Sequence, residues 1–515
     1  MNTKKILSIG TFLFATLSVS AQSHDDLLRF SEYNWSYGTA RSAAMGGTFV
    51  SLGADLSSMM VNPAGLGMYR RSEIGISPSF TSLGMKSFYE GTHSDKNRNR
   101  FAVNNIGGAF NLYNSSGSLT SVTMGFAYNK LADYNTNRDA RGNSLLSISD
   151  YFAHEMNQSH IDPNHVENLI QNGGRDEYLP EMLAYQGYII DYENGSYINR
   201  IHPDAENAYA AFSHLLESKG STRQFDVAMG MNFSNKLYVG FGFGFQDLYY
   251  KAYDSYYEDI ANNILDHENS LRDLEYVQRI DQTGSAWNFK LGAILRPIEE
   301  LRLALAFHTP TYITMEWENR QQAFSRTGPN NNVWDNESSE SILYDTYRAR
   351  TPMRLMLGTS YTFFHTAILS IDYERTWYNQ MKMFRGDWSR EDQNMTNTVK
   401  NIYKPANNVR VGLETAVAPN WFTRFGFAYY GGMYQDHVLR EDWPDFKNHK
   451  GQTLNYSTGF GYRTPGWSVD LAYIYMDRKD PPTYAYYSNA IASDAIPYRI
   501  DRQRHNVTAT LSLRF

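Results

Sequence analysis

The feature that most narrows what this chain can fold into is an alternation of period two that begins near Glu73 and recurs to the last residue. In the closing stretch, 501–515, Val507, Ala509, Leu511, Leu513 and Phe515 fall on one side, and Asn506, Thr508, Thr510, Ser512 and Arg514 on the other. Successive side chains of a strand point to opposite faces, so this stretch makes a strand with one apolar and one polar face. Within 223–233, Val227, Met229, Met231 and Phe233 alternate with polar or small residues. Within 237–250, Val239, Phe241, Phe243 and Phe245 alternate with Gly240, Gly242 and Gly244, which sets bulk on one face and leaves the other uncrowded. We count about fourteen such segments, most near the roughly 9–11 residues that a tilted strand needs to cross a bilayer.

The connections alternate in length. Tight turns fall at Asn114–Ser118, Ser234-Asn235, Arg296–Glu300, Phe363–His365, Ala418–Asn420 and Thr464–Gly466, and long polar loops lie between them. Short turns on one side and long loops on the other is the rhythm of outer-membrane barrels. A soluble β-sandwich also alternates but does not repeat that rhythm along a whole chain. Both termini then lie on the short-turn side, which requires an even number of strands.

Composition separates the remaining classes. Aromatic residues make up 15% of the chain, with 39 Tyr, yet mean hydropathy is -0.52. A helical membrane protein would be strongly apolar, whereas a barrel shows lipid only every second residue and carries aromatic girdles. A net charge of -7 gives no basic patch and no case for a nucleic-acid partner. The absence of cysteine excludes a structural disulfide, a Cys-ligated metal and a lipoprotein's anchoring cysteine. Residues 1–21 have the form of a secretory signal peptide: Lys4 and Lys5, an apolar core Ile6–Val19, then Val19-Ser20-Ala21. No later apolar run is long enough for a spanning helix, so any crossing is by strands.

Between the signal peptide and the strands lies 38–66, GTARSAAMGGTFVSLGADLSSMMVNPAGL, with Gly38, Gly46, Gly47 and Gly53 ahead of its proline. Small side chains at that density allow close backbone approach, as in a segment threaded into a barrel lumen, and equally an ordinary Gly-rich loop. This stretch resembles the N-terminal hatch of the FadL-type outer-membrane proteins, transporters of long-chain fatty acids and other hydrophobic compounds. The resembling elements are Arg41-Ser42-Ala43-Ala44-Met45-Gly46-Gly47, Asp55, and Asn62-Pro63-Ala64-Gly65-Leu66. The hairpin WNFKLGAILRPIEELRLALAFHTP, Trp287 to Pro310, and the terminal Phe515 are similar to the family as well. The likeness is greatest to Bacteroidetes-type versions, some of which are labelled hemin receptor.

The resemblance implies an all-β, transmembrane antiparallel barrel of about fourteen strands with a hatch in its lumen and long, partly helical extracellular loops. The hatch residues would be Gly46, Gly47, Asp55, Asn62, Pro63, Ala64, Gly65 and Leu66, and the candidate ligand-binding residues of the tail Leu27, Leu28, Phe30 and Trp35. It implies passive transport of small hydrophobic, fatty-acid-like molecules: capture on the outer loops, transfer to a site beside the tail, hatch rearrangement and release through the barrel side. The implied setting is the outer membrane of a Gram-negative bacterium, with a hydrophobic ligand, membrane lipid, lipopolysaccharide and the barrel-assembly machinery as partners, and a monomeric state. No cofactor and no enzymatic activity are expected. Two alternatives stand beside transport: a structural or interaction component of a secretion or surface machine, and a haem-binding receptor.

The expected divisions are a tail and hatch over 22–71 and a barrel over 72–515 carrying one long extracellular loop, 132–222. That loop has helical spacing at Leu145, Ile148, Phe152 and Met156, and again at Tyr209, Phe212, Leu215 and Leu216. Its tyrosines, among them Tyr178, Tyr185, Tyr188, Tyr192 and Tyr197, either line an exposed apolar groove or pack the loop upon itself. His154, His160 and His165 do not share one helical face, and no acidic or cysteine partner completes a ligand set, so no metal site is expected. Phosphate-loop, nucleophile-elbow and H-E-x-x-H motifs are missing. The chain is also too short for the roughly 22 strands and plug of an energised receptor.

Overall fold

The computed structural model describes residues 24–171, 178–201, 205, 207–265, 270–328, 336–439, 446–484 and 497–515. The expected signal peptide, 1–21, lies outside the described residues. Fourteen antiparallel strands follow one another around a closed barrel. They are β1 Glu73–Tyr89, β2 Thr92–Asn114, β3 Leu119–Asp133 prolonged by Thr136–Ser144, β4 Tyr209–Phe233, β5 Leu237–Ala261, β6 Leu271–Leu295 and β7 Leu301–His308 prolonged by Tyr312–Thr327. Then come β8 Asn336–Arg350 prolonged by Arg354–Phe363, β9 Ala367–Thr376 prolonged by Lys382–Arg385, β10 Ala406–Ala418, β11 Trp421–Tyr430, β12 Thr453–Arg463, β13 Trp467–Lys479 and β14 Arg499–Arg514. The last strand pairs with the first from Glu73↔Arg514 to Phe88↔Arg499, so the sheet keeps no free outer edge there. The break in β7 falls at Pro310, which has no N–H to give the ladder.

The outer surface reverses the usual order of a folded protein. Phe241, Leu291, Leu305, Leu357, Phe425, Leu471 and Leu511 are all exposed, as lipid-facing positions must be. Aromatic rims bound this band: Trp421, Trp467, Tyr361 and Phe363 beside the short turns, and Tyr249, Trp287, Tyr373, Tyr429 and Tyr473 toward the long loops. Strands β4, β5 and β6 have 25 residues each, far beyond what a bilayer requires, so the wall continues past the band on the long-loop side.

Two boundaries differ from the sequence reading. The segment 83–100, left outside the first strands, extends them to a tight turn at Glu90-Gly91. The connection expected over 132–222 is strand at both ends, 136–144 and 209–222, which leaves 145–208 between strands. Phe212, Leu215 and Leu216 therefore lie on β4, where ladder pairing to β3 and β5 overrides a spacing that also suits a helix. Helices at Ile148–Ser159, Val166–Gln171 and Leu179–Gln186 and a ribbon at Ile190–Glu193 and Ser196–Asn199 form a cap. Its Phe152, Met156, Met182 and Leu183 pack on Leu83 and Met85 of β1, Phe212 of β4 and Tyr256 of β5.

One seam interrupts the wall. Strands β2 and β3 pair only from Asn105↔Asn129 to Asn114↔Ser121. Beyond that rung, 92–104 pairs with β1 alone and 136–144 pairs with β4 alone. Inside the barrel, the cap, the tail 24–37 and the segment 38–68 form three apolar layers from the long-loop end downward.

Candidate functional site

The lumenal segment 38–68, here called the plug, is tied to itself by short polar side chains. Thr39 caps the helix Ala40–Ala44 by accepting from the Ser42 N–H. The helix ends on Gly46 and Gly47, both left-handed at φ 68 and 77, and the Gly47 N–H returns to the Ser42 carbonyl at 2.9 Å. Asp55 Oδ1 accepts from the Thr39 hydroxyl at 2.8 Å and from the Ser57 N–H at 2.9 Å, which joins the start of the plug to its middle. Asn62 donates through Nδ2 to the Val50 carbonyl at 2.7 Å, and its Oδ1 accepts from the Ala64 N–H at 3.1 Å, closing the turn that Pro63 begins. Gly65 accepts from the Ala54 N–H at 3.1 Å, and Leu66 packs with Leu56, Met59 and Tyr69. All eight residues singled out in this stretch are thus parts of one buried unit.

The barrel wall is hollowed to receive it. Gly230 of β4, Gly240 of β5 and Gly292 of β6 face the Asn62–Gly67 turn, and a Cβ on any of them would lie under 3.0 Å from Gly67 N, Ala64 N or Asn62 Oδ1 respectively. Across the lumen, Gly412 of β10, Gly426 of β11 and Gly459 of β12 stand in the same relation to Thr48, Gly46 and Ala44. Inward glycines are the only residues that let two backbones approach this closely.

Buried charge fixes the rest. Arg41 grips Glu414 through two bonds, 2.9 and 3.0 Å, and donates to the Gly53 carbonyl at 3.2 Å. Glu414 also accepts from Arg424 at 2.6 Å, and Arg424 reaches Asp470 at 2.7 Å, a relay across β10, β11 and β13. On the neighbouring wall, Glu374 accepts from Arg354 at 3.0 Å and from Arg410 at 2.6 Å, while Asp372 accepts from the plug's Val50 N–H at 3.1 Å. Lys290 joins Asp226 at 2.7 Å and the Met59 carbonyl at 3.1 Å, and His308 lies 2.9 Å from the Val61 carbonyl. Charges buried to this degree hold only while each keeps its partner.

Above the plug, Leu27, Leu28 and Phe30 lie together in an apolar layer with Tyr134, Tyr250, Met315, Trp317 and Tyr347. Phe30 meets Tyr134 edge-on at 5.7 Å, and the Arg29 guanidinium sits 3.9 Å over the Tyr250 ring. Trp35 is separate: it packs in the plug's own layer with Met45, Phe49 and Val50 and meets His308 edge-on at 5.8 Å. The structure therefore gathers three of the four tail residues and sets the fourth against the plug. Among the described residues, no group of three or more His, Asp or Glu is placed to hold a metal ion.

Sequence reasoning missed the receiving half of this site. Glu414, Arg424, Asp470 and Glu374 look like polar positions of alternating strands, and nothing local says what they meet. The usable signal is an ionisable residue or a glycine between two lipid-facing bulky residues, as with Arg410 between Val409 and Val411 or Gly426 between Phe425 and Phe427.

No family model and no curated protein matches the sequence. Solved structures do match in shape. A FadL homologue from Pseudomonas aeruginosa superposes with a TM-score of 0.55 at 12% identity, over 94% of this chain and 98% of that one. The toluene transporter TodX of P. putida superposes with a TM-score of 0.53 at 11% identity, over 94% and 99%. The chain has the fold of these FadL-type barrels, a fourteen-strand wall with its N-terminal residues inside.

Proposed function

We propose that this protein is a passive channel of the Gram-negative outer membrane for small hydrophobic molecules, fatty-acid-like in size and polarity. The observation that carries the reading is the pairing of an occupied lumen with a wall that loses its ladder at one seam. A cargo cannot pass such a barrel straight through, and an apolar one has reason to leave sideways into lipid. The exposed apolar band and the fold shared with a toluene transporter support both the membrane setting and a hydrophobic cargo.

In this reading 1–21 is a signal peptide, the short turns face the periplasm and the cap faces outward. The segment 22–71 is tail and hatch, and 72–515 the barrel. Cargo passes the cap to a site formed by Leu27, Leu28 and Phe30, with Trp35 below it against the plug. The hatch, with Gly46, Gly47, Asp55, Asn62, Pro63, Ala64, Gly65 and Leu66, then shifts to open the way to the wall. Lipid and lipopolysaccharide surround the barrel, and the assembly machinery inserts it as a monomer. Asn62→Ala removes both bonds that fold the plug's last turn. It should lower uptake of a labelled fatty acid by cells several-fold while the barrel still assembles, and normal uptake would sink the proposal.

A second reading, a non-transporting anchor for a surface machine, is favoured by the cap and by wall that rises past the band. A stoichiometric protein partner on purification, with no co-extracted lipid, would support it.

A further inference from the structure

Above the last shared rung of β2 and β3, the wall holds a small cleft. It is lined by Thr81 and Leu83 of β1, Arg98 and Arg100 of β2, Asp133 and Asn135 at the break in β3, and Arg504 of β14. Its height is fixed by register. Phe80 pairs with Phe101 on one side and Val507 on the other, and all three are exposed on the outer face. Thr81↔Arg100 is the next rung and Leu83↔Arg98 lies two beyond. The cleft therefore begins where the apolar band ends, the level at which the head groups of a surrounding bilayer lie.

Its charges do not balance. Lys130 and Arg100 share the single carboxylate Asp133. Arg98 donates to two backbone carbonyls beside the break in β3, Thr136 at 2.9 Å and Ser218 at 2.8 Å. Arg504 donates to the Tyr37 hydroxyl and to Met476 Sδ. Among the described residues, neither Arg98 nor Arg504 has a carboxylate at ion-pair distance. Four cations thus surround one anion in a half-buried setting, where a second anion would be bound by charge-assisted hydrogen bonds.

We propose that this cleft is a binding site for the anionic head group of an amphiphile, a carboxylate or a phosphate, whose chain lies outside against Phe80, Phe101 and Val103. The site rests on the membrane placement argued above and adds a requirement for charge that a purely apolar route does not have. Two sources supply such a head group: a fatty-acid-like cargo crossing the seam, and a resident phosphorylated glycolipid of the outer leaflet. An occupied cleft also reaches the plug. The Tyr37 ring stands between Lys130 at 4.7 Å and Arg504 at 5.1 Å, and the plug begins at the next residue.

The test uses the full chain in nanodiscs of phosphatidylcholine, with empty discs subtracted. The probes are a pyrene-labelled hexadecanoic acid, the matching alcohol, and diphosphoryl lipid A as competitor. The acid should bind about tenfold more tightly than the alcohol, with the preference shrinking as salt rises. Arg98→Gln with Arg504→Gln should remove the preference and leave alcohol binding unchanged. If lipid A displaces the acid at lower concentration than unlabelled acid does, the resident lipid is the source; the reverse order names the cargo. Equal binding of acid and alcohol by the unaltered protein, with no competition by lipid A, overturns the proposal whether or not the variants fold. Acid preference in a protein that supports no uptake keeps the site and removes the channel. Uptake with no acid preference does the opposite.

Discussion

The plug and the cap fill opposite ends of one barrel and are held there by different forces. The plug meets the wall backbone to backbone across inward glycines and is pinned by ion pairs such as Arg41–Glu414. The cap meets the wall mainly through Phe152, Met156, Met182 and Leu183, and its first helix starts on a buried carboxylate of the wall, Glu258. Apolar packing is non-directional and tolerates sliding, whereas glycine seats and paired charges define a single position. The lower filling is thereby specified in place and the upper one only in kind.

The comparison breaks most directly at Glu414. Glu414→Ala strands Arg41 and Arg424 without their shared partner and should cost about 3–5 kcal/mol of plug docking. Limited proteolysis should then cut within 38–68 while the cap stays protected. Loss of protection in the cap instead would mean that the two fillings are one unit. Met182→Ala is the mirror experiment, with about 2–4 kcal/mol lost from cap packing. Hydrogen exchange should rise across 148–171 and 178–186 and not at the plug.

Gly240→Ala is smaller and sharper. One added methyl must push the Pro63-Ala64 backbone away at about 1–3 kcal/mol, and the shift should be visible as faster exchange at Ala64 and Gly65. An unchanged plug would show that the seat has slack.

The smallest effect is one of pH, and it is read in the cap. Burial pushes the Glu258 carboxyl up to about 7, against the bonds it accepts from the Ser147 hydroxyl, the Ile148 N–H and the Tyr256 hydroxyl and with Asp150 nearby. A carboxyl raised in the folded state adds stability that is full below its unfolded value near 4.5 and is lost as pH rises through about 7. Exchange of the 148–159 amides, corrected for its intrinsic rate, should therefore quicken between pH 5 and pH 8. Glu258→Gln should flatten that dependence.

What the chain reveals of itself follows the same division. The wall was legible wherever lipid lies outside it, because Val239, Phe241, Phe243 and Phe245 against three glycines contrast sharply. Past the band that contrast fades: on β5 beyond Tyr249, Lys251 and Tyr253 face out and Ala252 and Tyr256 face in, and a polar exterior leaves no period to read. The plug's own turns were legible from Gly46-Gly47 and Asn62-Pro63, since local geometry dictates those residues. Its seats were not, because Arg41 and Glu414 are 373 residues apart and only ring closure brings them together. The seam lay in 83–100 and 132–144, which carry no alternation strong enough to place a strand.

The closure itself sets an order of events. Ser72 and Phe515 exchange both backbone bonds at 3.1 Å, and the Ala40 N–H reaches Thr510 Oγ1 at 2.7 Å across 470 positions. The segment that comes before every wall strand in the chain is therefore the last whose surroundings are completed. It must wait inside an open, half-built sheet until the final strand arrives, and contacts so distant along the chain are slow to form. The residues that fill the finished barrel are the ones around which its two ends have to meet, so closing the wall and packing its interior are a single step in time.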